Sequence, residues 1–255
     1  MRFRDLHFRD RPLVLPNAWD FASGAALVQA GFPAIGTTSL GVAAAAGKPD
    51  ATGGTREETL ALARALSRLP VPVTVDVEGG FSDRAADVAG LVAELASLGI
   101  AGINLEDGRP DGTLAPLDHQ TAVIAAVKRA APGVFLNART DTFWLGVPDR
   151  EETLRRARAF AAAGADGVFV PGIVEDADIR AVLEAAGVPL NVLYLPGRTE
   201  YSRLARLGVH RVSTGSLLFR TALQATVAAA LDVTGEDGSR PAPSYGDVQR
   251  LVGDR

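Results

Sequence analysis

The residues most able to do chemistry sit where apolar runs end. One run, Val71-Pro-Val-Thr-Val-Asp-Val-Glu-Gly-Gly80, closes on Asp76 and Glu78. A second, Ile103-Asn-Leu-Glu-Asp107, closes on Glu106 and Asp107, and a third, Asn137-Ala-Arg-Thr-Asp141, carries Arg139 and Asp141. Side chains alternate along a strand, so Asp76 and Glu78 are expected on one side. Two carboxylates at the mouth of a buried strand repel each other and need a cation, a proton or a basic group beside them. A solvated acidic turn accounts for the first run taken alone; its recurrence on the next run points to a shared site. Asp76, Glu78 and Glu106, with no histidine or cysteine among them, make a hard oxygen set. Such a set suits Mg²⁺, with Mn²⁺ as a second candidate, better than zinc. Arg139 is placed to grip a carboxylate bidentately, or else to pair with Glu106 or Asp107. The turn Thr37-Thr-Ser-Leu-Gly41 offers hydroxyls and backbone N–H groups to an anion, or caps an ordinary helix.

Holding these groups together takes strands of one polarity. Strands are predicted at residues 13–15, 34–38, 73–77, 102–105, 134–138, 167–170, 190–193 and 211–213. Helices are predicted at 21–30, 57–67, 84–98, 119–130, 150–163, 176–186, 201–207 and about 217–231. Gly31, Gly99, Gly164, Gly187 and Gly208 stand where helices should stop. Apolar runs without alternation suit a parallel sheet covered on both faces. Eight strands alternating with eight helices predict an α/β (β/α)₈ TIM-type barrel, in preference to a doubly wound open sheet. The expectation is one domain over 1–255, ending in a tether and short helix at about 235–255. A barrel puts its chemistry at the carboxyl ends of the strands, which here bear Asn17, Thr38, Ser39, Asp76, Glu78, Glu106, Arg139, Asn191 and Ser213.

Composition narrows the field. The 255 residues are 47% hydrophobic and 22% charged, with a formal charge of −4 and no cysteine. No basic patch with interleaved aromatics marks a nucleic-acid surface. Disulfides, thiolate zinc sites and cysteine nucleophiles are excluded. The charged N-terminus is unlike a signal peptide, and no apolar run suggests a membrane span, so a cytoplasmic protein is expected. His7 lies in the charged N-terminal arm, and His119 and His210 are read as structural. Trp19 and Trp144 are read as packing at the barrel mouth, and Asp141 as orienting Arg139.

The segments Thr38-Ser-Leu40, Gly47-Lys-Pro-Asp50, Val75-Asp-Val-Glu-Gly-Gly80, Asn104-Leu-Glu-Asp107 and Asn137-Ala-Arg-Thr-Asp141 together resemble the isocitrate lyase/phosphoenolpyruvate mutase superfamily. The likeness runs from Leu13 to about Leu231. It implies a modified barrel whose eighth helix is exchanged between the subunits of a dimer or tetramer. It also implies Mg²⁺ and a small 2-oxo or enol carboxylic acid, with a C–C or P–C bond made or broken through an enolate-type intermediate. By resemblance, Asp76, Glu78 and Glu106 hold the metal. Thr38, Ser39, Leu40 and Asp76 meet the substrate, and Arg139 and Asp50 act in catalysis. From its place on the seventh strand, and not from the resemblance, Asn191 is a further candidate to line the pocket.

The chain departs from the pattern where protons move. Position 78 is glutamate where the superfamily has aspartate. The stretch Glu106-Asp-Gly-Arg-Pro-Asp-Gly-Thr-Leu-Ala-Pro116 replaces the long mobile loop that bears the lyases' Lys-Lys/Arg-Cys-Gly-His motif, and Arg109 is the basic group left on it. Val170-Pro-Gly172 replaces the mutases' histidine and the lyases' glutamate. The expectation is therefore a Mg²⁺-dependent lyase, closest to oxaloacetate-type decarboxylation. Phosphonopyruvate or carboxyphosphonoenolpyruvate chemistry and a non-catalytic 2-oxo acid binding protein are the alternatives.

Overall fold

Along each strand, apolar side chains aimed at the helices alternate with small or polar ones aimed at the barrel axis. Ile103, Leu105, Leu136 and Ala138 join the main core with helix residues, while Thr74, Asn104, Asn137, Asn191 and Arg211 are buried polar groups on the intervening positions. The computed structural model describes residues 2–146 and 149–253. Its strands are β1 (Leu13–Leu15), β2 (Asn17–Ala18), β3 (Ile35–Thr37), β4 (Val73–Asp76), β5 (Gly102–Glu106), β6 (Phe135–Arg139), β7 (Gly167–Phe169), β8 (Leu190–Leu193) and β9 (Arg211–Ser213). All pair in parallel, in the order β1-β9-β8-β7-β6-β5-β4-β3-β2. β1 and β2 are two halves of one stave broken at Pro16, which has no N–H for a ladder. β1 pairs with β9 and β2 with β3, so the ring closes across the break. This is the expected TIM-type barrel.

Asn17 sutures that seam. Its side-chain oxygen accepts from the N–H groups of Thr214 and Gly215 at 3.0 and 2.9 Å, and its amide nitrogen donates to the Thr37 carbonyl at 2.7 Å. Inside the ring, Asn104 Oδ1 accepts from Asn137 at 2.8 Å and from Arg211, across the axis, at 2.7 Å. The axis is therefore a hydrogen-bonded column rather than an aliphatic plug.

The outer helices are α1 (Phe21–Gln29), α3 (Arg56–Leu66), α4 (Ala85–Ser97), α5 (Leu117–Ala130), α6 (Arg150–Ala162), α7 (Asp176–Ala186) and α8 (Tyr201–Leu207). A short α2 (Ser39–Ala45), not expected from periodicity, starts in the Thr-Thr-Ser turn. α9 (Leu217–Thr234) differs from the others: Phe219 is its one fully buried residue, and Val227 and Val233 are exposed. Against the expectation of no membrane-span run, α9 has the length and, at a mean hydropathy of 1.2, the composition of one. Arg220 and Asp232 interrupt it. Residues 235–244 return along α9, with Gly238 against the Ala228 backbone, to α10 (Tyr245–Val252).

The charged N-terminal arm forms a 3₁₀ turn (Phe3–His7) that plugs the amino ends of the strands. His7 is buried, stacks on Phe135 at 4.3 Å and gives its Nδ1 proton to the Phe3 carbonyl at 3.2 Å. Burial, aided by the Arg211 charge, lowers its pKa from 6.5 to about 3. The unfolded chain takes up a proton near 6.5 that the fold refuses, so this group costs stability as pH falls from 6.5 toward 3. Its share between pH 6.5 and 5 is roughly 2 kcal/mol. In urea titrations, His7→Phe is expected to lose less stability than the wild type over that interval; equal losses would place His7 outside the acid response.

Candidate active site

Parallel register decides which side chains meet. Arg139 lies directly beside Glu106 on the neighbouring strand, and Asp76 lies beside Asn104, two residues below Glu106. The outcome is an ion pair between Arg139 Nη1 and Glu106 at 2.6 Å. Asp141, just past β6, accepts from Arg139 Nε at 2.6 Å and Nη2 at 3.1 Å. Asp141 orients Arg139, as expected, and the guanidinium is fixed on two sides.

A cavity of about 140 Å³ opens at this carboxyl end. Thr38, Ser39, Leu40, Asp50, Asp76, Glu106 and Arg139 border it, with Asn17, Asn104, Arg109, Trp144 and Tyr245. Of the sequence-predicted site residues, the structure brings all but two to this wall. Asn191 is completely buried beneath it, its amide nitrogen given to Ser213 at 3.1 Å. Its strand register points it into the column, below the mouth.

Glu78 is the second. β4 ends at Asp76, and Glu78 has a left-handed backbone (φ 50°), so strand alternation no longer holds there. Its carboxylate accepts from Thr55 Oγ1 at 2.6 Å and Gly53 N at 3.0 Å, and it borders a neighbouring groove shared with Phe81, Glu106 and Gln120. The expectation that Asp76 and Glu78 share a side gives way to this turn. Gly80 makes it possible: at φ 91°, a Cβ there would meet Val88 at 2.6 Å.

The electrostatics are those of a site short of positive charge. Burial raises Asp76 to about 6 and Glu106 well above the usual carboxylate range, although Arg139 pulls both down. Asp50 is raised by burial against hydrogen bonds from Tyr245 and Ser39. Burial alone would lower Arg139, but Asp141, Glu106 and Asp76 hold it firmly protonated. Among the described residues no three His, Cys, Asp or Glu side chains already gather as a metal cage. Asp76 and Glu106, both bordering the cavity, are nonetheless a hard oxygen pair that a divalent cation would fit, with waters completing its shell.

Sequence reading missed two parts of this site. Asp107 does not face the cavity. It accepts from Asp141 N at 2.9 Å and from buried Arg156 at 3.0 Å, and Arg156 also donates to the Ala115 carbonyl at 2.9 Å. This pins the short loop after β5. Tyr245, from the end of the chain, gives its hydroxyl proton to Asp50 Oδ2 at 2.7 Å. The signal for it was a helix with a Ser244–Asp247 capping box and apolar residues to bury.

Residues 3–234 match the family described as Phosphoenolpyruvate phosphomutase. The chain belongs to this family, and with it to the isocitrate lyase/phosphoenolpyruvate mutase superfamily. Within the superfamily it is 44% identical, over 99% of its length and 96% of the other, to an uncharacterized protein of Mycobacterium tuberculosis. It is 32% identical to an oxaloacetate decarboxylase of Ectopseudomonas mendocina, over 71% of this chain and 65% of that enzyme. Among solved structures, a putative phosphonomutase from Burkholderia cenocepacia superposes with a TM-score of 0.84 at 40% identity, covering 90% of this chain and 97% of that one. Family membership supports an enzyme of C–C or P–C bond chemistry.

Proposed function

We propose that this family member is a Mg²⁺-dependent lyase that breaks a C–C bond in a small 2-oxo carboxylic acid, as in oxaloacetate-type decarboxylation. The observation that carries the reading is Arg139, locked between Glu106 and Asp141 and facing the same small cavity as Asp76 and Asp50. The cavity is far below the roughly 300–1,000 Å³ of drug-sized pockets, which suits an acid of a few carbons. Asp76 and Glu106 would hold the metal, which when bound supplies a Lewis acid to the substrate's carbonyl. Ser39 and the Thr38–Leu40 backbone at the start of α2 receive the substrate carboxylate. Arg139 stabilises the oxygen on which charge grows as the bond breaks, and being held in place it needs no reorganisation to do so. Asp50 faces the reacting end. The likeness to an oxaloacetate decarboxylase supports this choice.

P–C chemistry on a phosphonopyruvate-like acid is the second reading, favoured by the likeness to a putative phosphonomutase. A 2-oxo acid binding protein is the third, favoured by the short rim after β5. A panel of 2-oxo acids and phosphonopyruvate, assayed for pyruvate with and without EDTA, separates them. The expected result is turnover of an oxo diacid that EDTA abolishes and Mg²⁺ restores. Turnover of the phosphonate alone would move the assignment to P–C chemistry, and oxalate binding without any turnover would leave a binding protein. The bare apolar surface of α9 supports exchange of this helix between subunits of a dimer or tetramer; a monomer in sedimentation at micromolar concentration would end that part.

A further inference from the structure

We propose that α10 is the lid of this site and that Tyr245 is a substrate-contacting residue which α10 carries into it. The inference rests on the small-acid reading above. α10 clamps Asp50 from two directions. Tyr245 donates to the Asp50 carboxylate at 2.7 Å, while Gln249 accepts from Asp50 N at 2.9 Å and donates to Asp50 O at 3.3 Å. The other Asp50 oxygen is buried beside the Ser39 hydroxyl without a full hydrogen bond of its own, in a carboxyl group that borders the cavity. A buried acceptor left single is costly unless something in the working state supplies a donor. Tyr245 meets Trp144 edge-on, with ring centroids 5.6 Å apart, and both rings border the cavity.

The attachment suits a movable cover. α10 seats on the barrel through a small satellite cluster, in which Val248 packs with Leu40 and Phe219, apart from the main core. It hangs from residues 235–244, which form no helix or strand; Arg220 holds the far end by a 2.8 Å bond to the Pro243 carbonyl. The stretch after β5 is short and held at both ends by Arg156, on Asp107 and on the Ala115 carbonyl, and Gly108 and Arg109 are the residues of it that border the cavity. No histidine, cysteine or lysine borders the cavity among the described residues. Tyr245, over the opening, carries a proton on a hydrogen bond to an acid. Closing the site excludes water from the bond being broken.

Oxalate serves as the probe, with Mg²⁺, on the full chain. Calorimetry measures its binding, and hydrogen exchange measures protection of the α10 amides. Oxalate is expected to slow exchange over residues 245–252 at least about fivefold in the wild type (~1 kcal/mol). Tyr245→Phe, which keeps the ring against Trp144, is expected to weaken oxalate about tenfold and to lose most of that added protection. Its exchange without ligand should rise by as much as the lost Asp50 bond held α10. Protection is therefore read in each protein as the ratio with and without saturating oxalate, which separates a substrate contact from a loss of packing. Oxalate bound at wild-type strength by Tyr245→Phe, or bound with α10 exchange unchanged, would overturn the lid. No oxalate binding by the wild type would overturn the small-acid reading first, and the lid with it.

Discussion

Arg139→Lys is expected to lower kcat/KM for the preferred 2-oxo acid by about 10³-fold or more. Removing one donor aimed at a developing oxyanion costs roughly 10²–10³ in rate. Here lysine also loses the fork that meets Glu106 through Nη1 and Asp141 through Nε and Nη2. The positive charge is kept, so a large loss would report geometry rather than net electrostatics. Steady-state kinetics across the 2-oxo acid panel, beside a urea titration of the same variant, make the check. A kcat/KM within threefold of the wild type would remove Arg139 from the substrate and leave it a structural partner of Glu106.

The second large effect is on stability and lies away from the cavity. Arg156→Met is expected to cost about 3–5 kcal/mol, because it strands a buried carboxylate without its cation. Asp107 is 1% exposed and already raised by burial to about 6. Losing Arg156 pushes it higher still. The variant's folded state then holds a proton at a pH where neither the wild-type fold nor the unfolded chain does, so the penalty should shrink as pH falls toward about 6 and level off below it. Arg156→Met with Asp107→Asn should recover much of the loss, since the second change removes the stranded charge. Urea unfolding at pH 7.5 and 5.5 measures all of this. A single-variant cost under about 1 kcal/mol would show the pair to be as weak as a surface bridge.

What was legible in the sequence was whatever depends on neighbours in the chain or on adjacent strands. Apolar runs ending in acids marked the staves, and glycines marked helix ends. Arg139, Asp141 and Glu106 came together because parallel register pairs residues in order. The misreadings have local causes of another kind. Strand period was carried through Glu78, where a positive φ had already ended the strand. Asn191 was put at the rim for its polarity, although the strand, as predicted and as found, runs on past it to Leu193. Charge was the only signal read from the arm of His7, yet one face of its 3₁₀ turn, Phe3, Leu6 and His7, is buried. The docking of Tyr245 on Asp50 spans 195 residues. No spacing rule reaches that far; only the folded ring brings the pair within a bond length of each other.

The column inside the ring implies an uneven history of substitution. Asn104 serves both Asn137 and Arg211, and Asn17 serves both edges of the seam. An apolar replacement of any one of them strands its neighbour's polar atom in dry interior, so tolerated changes there must come in groups. The aliphatic shell under the helices has no such polar coupling, and Leu can give way to Met or Ile one position at a time. Chains descended from a common ancestor with this one should therefore diverge quickly around the circumference while the axis stays nearly frozen.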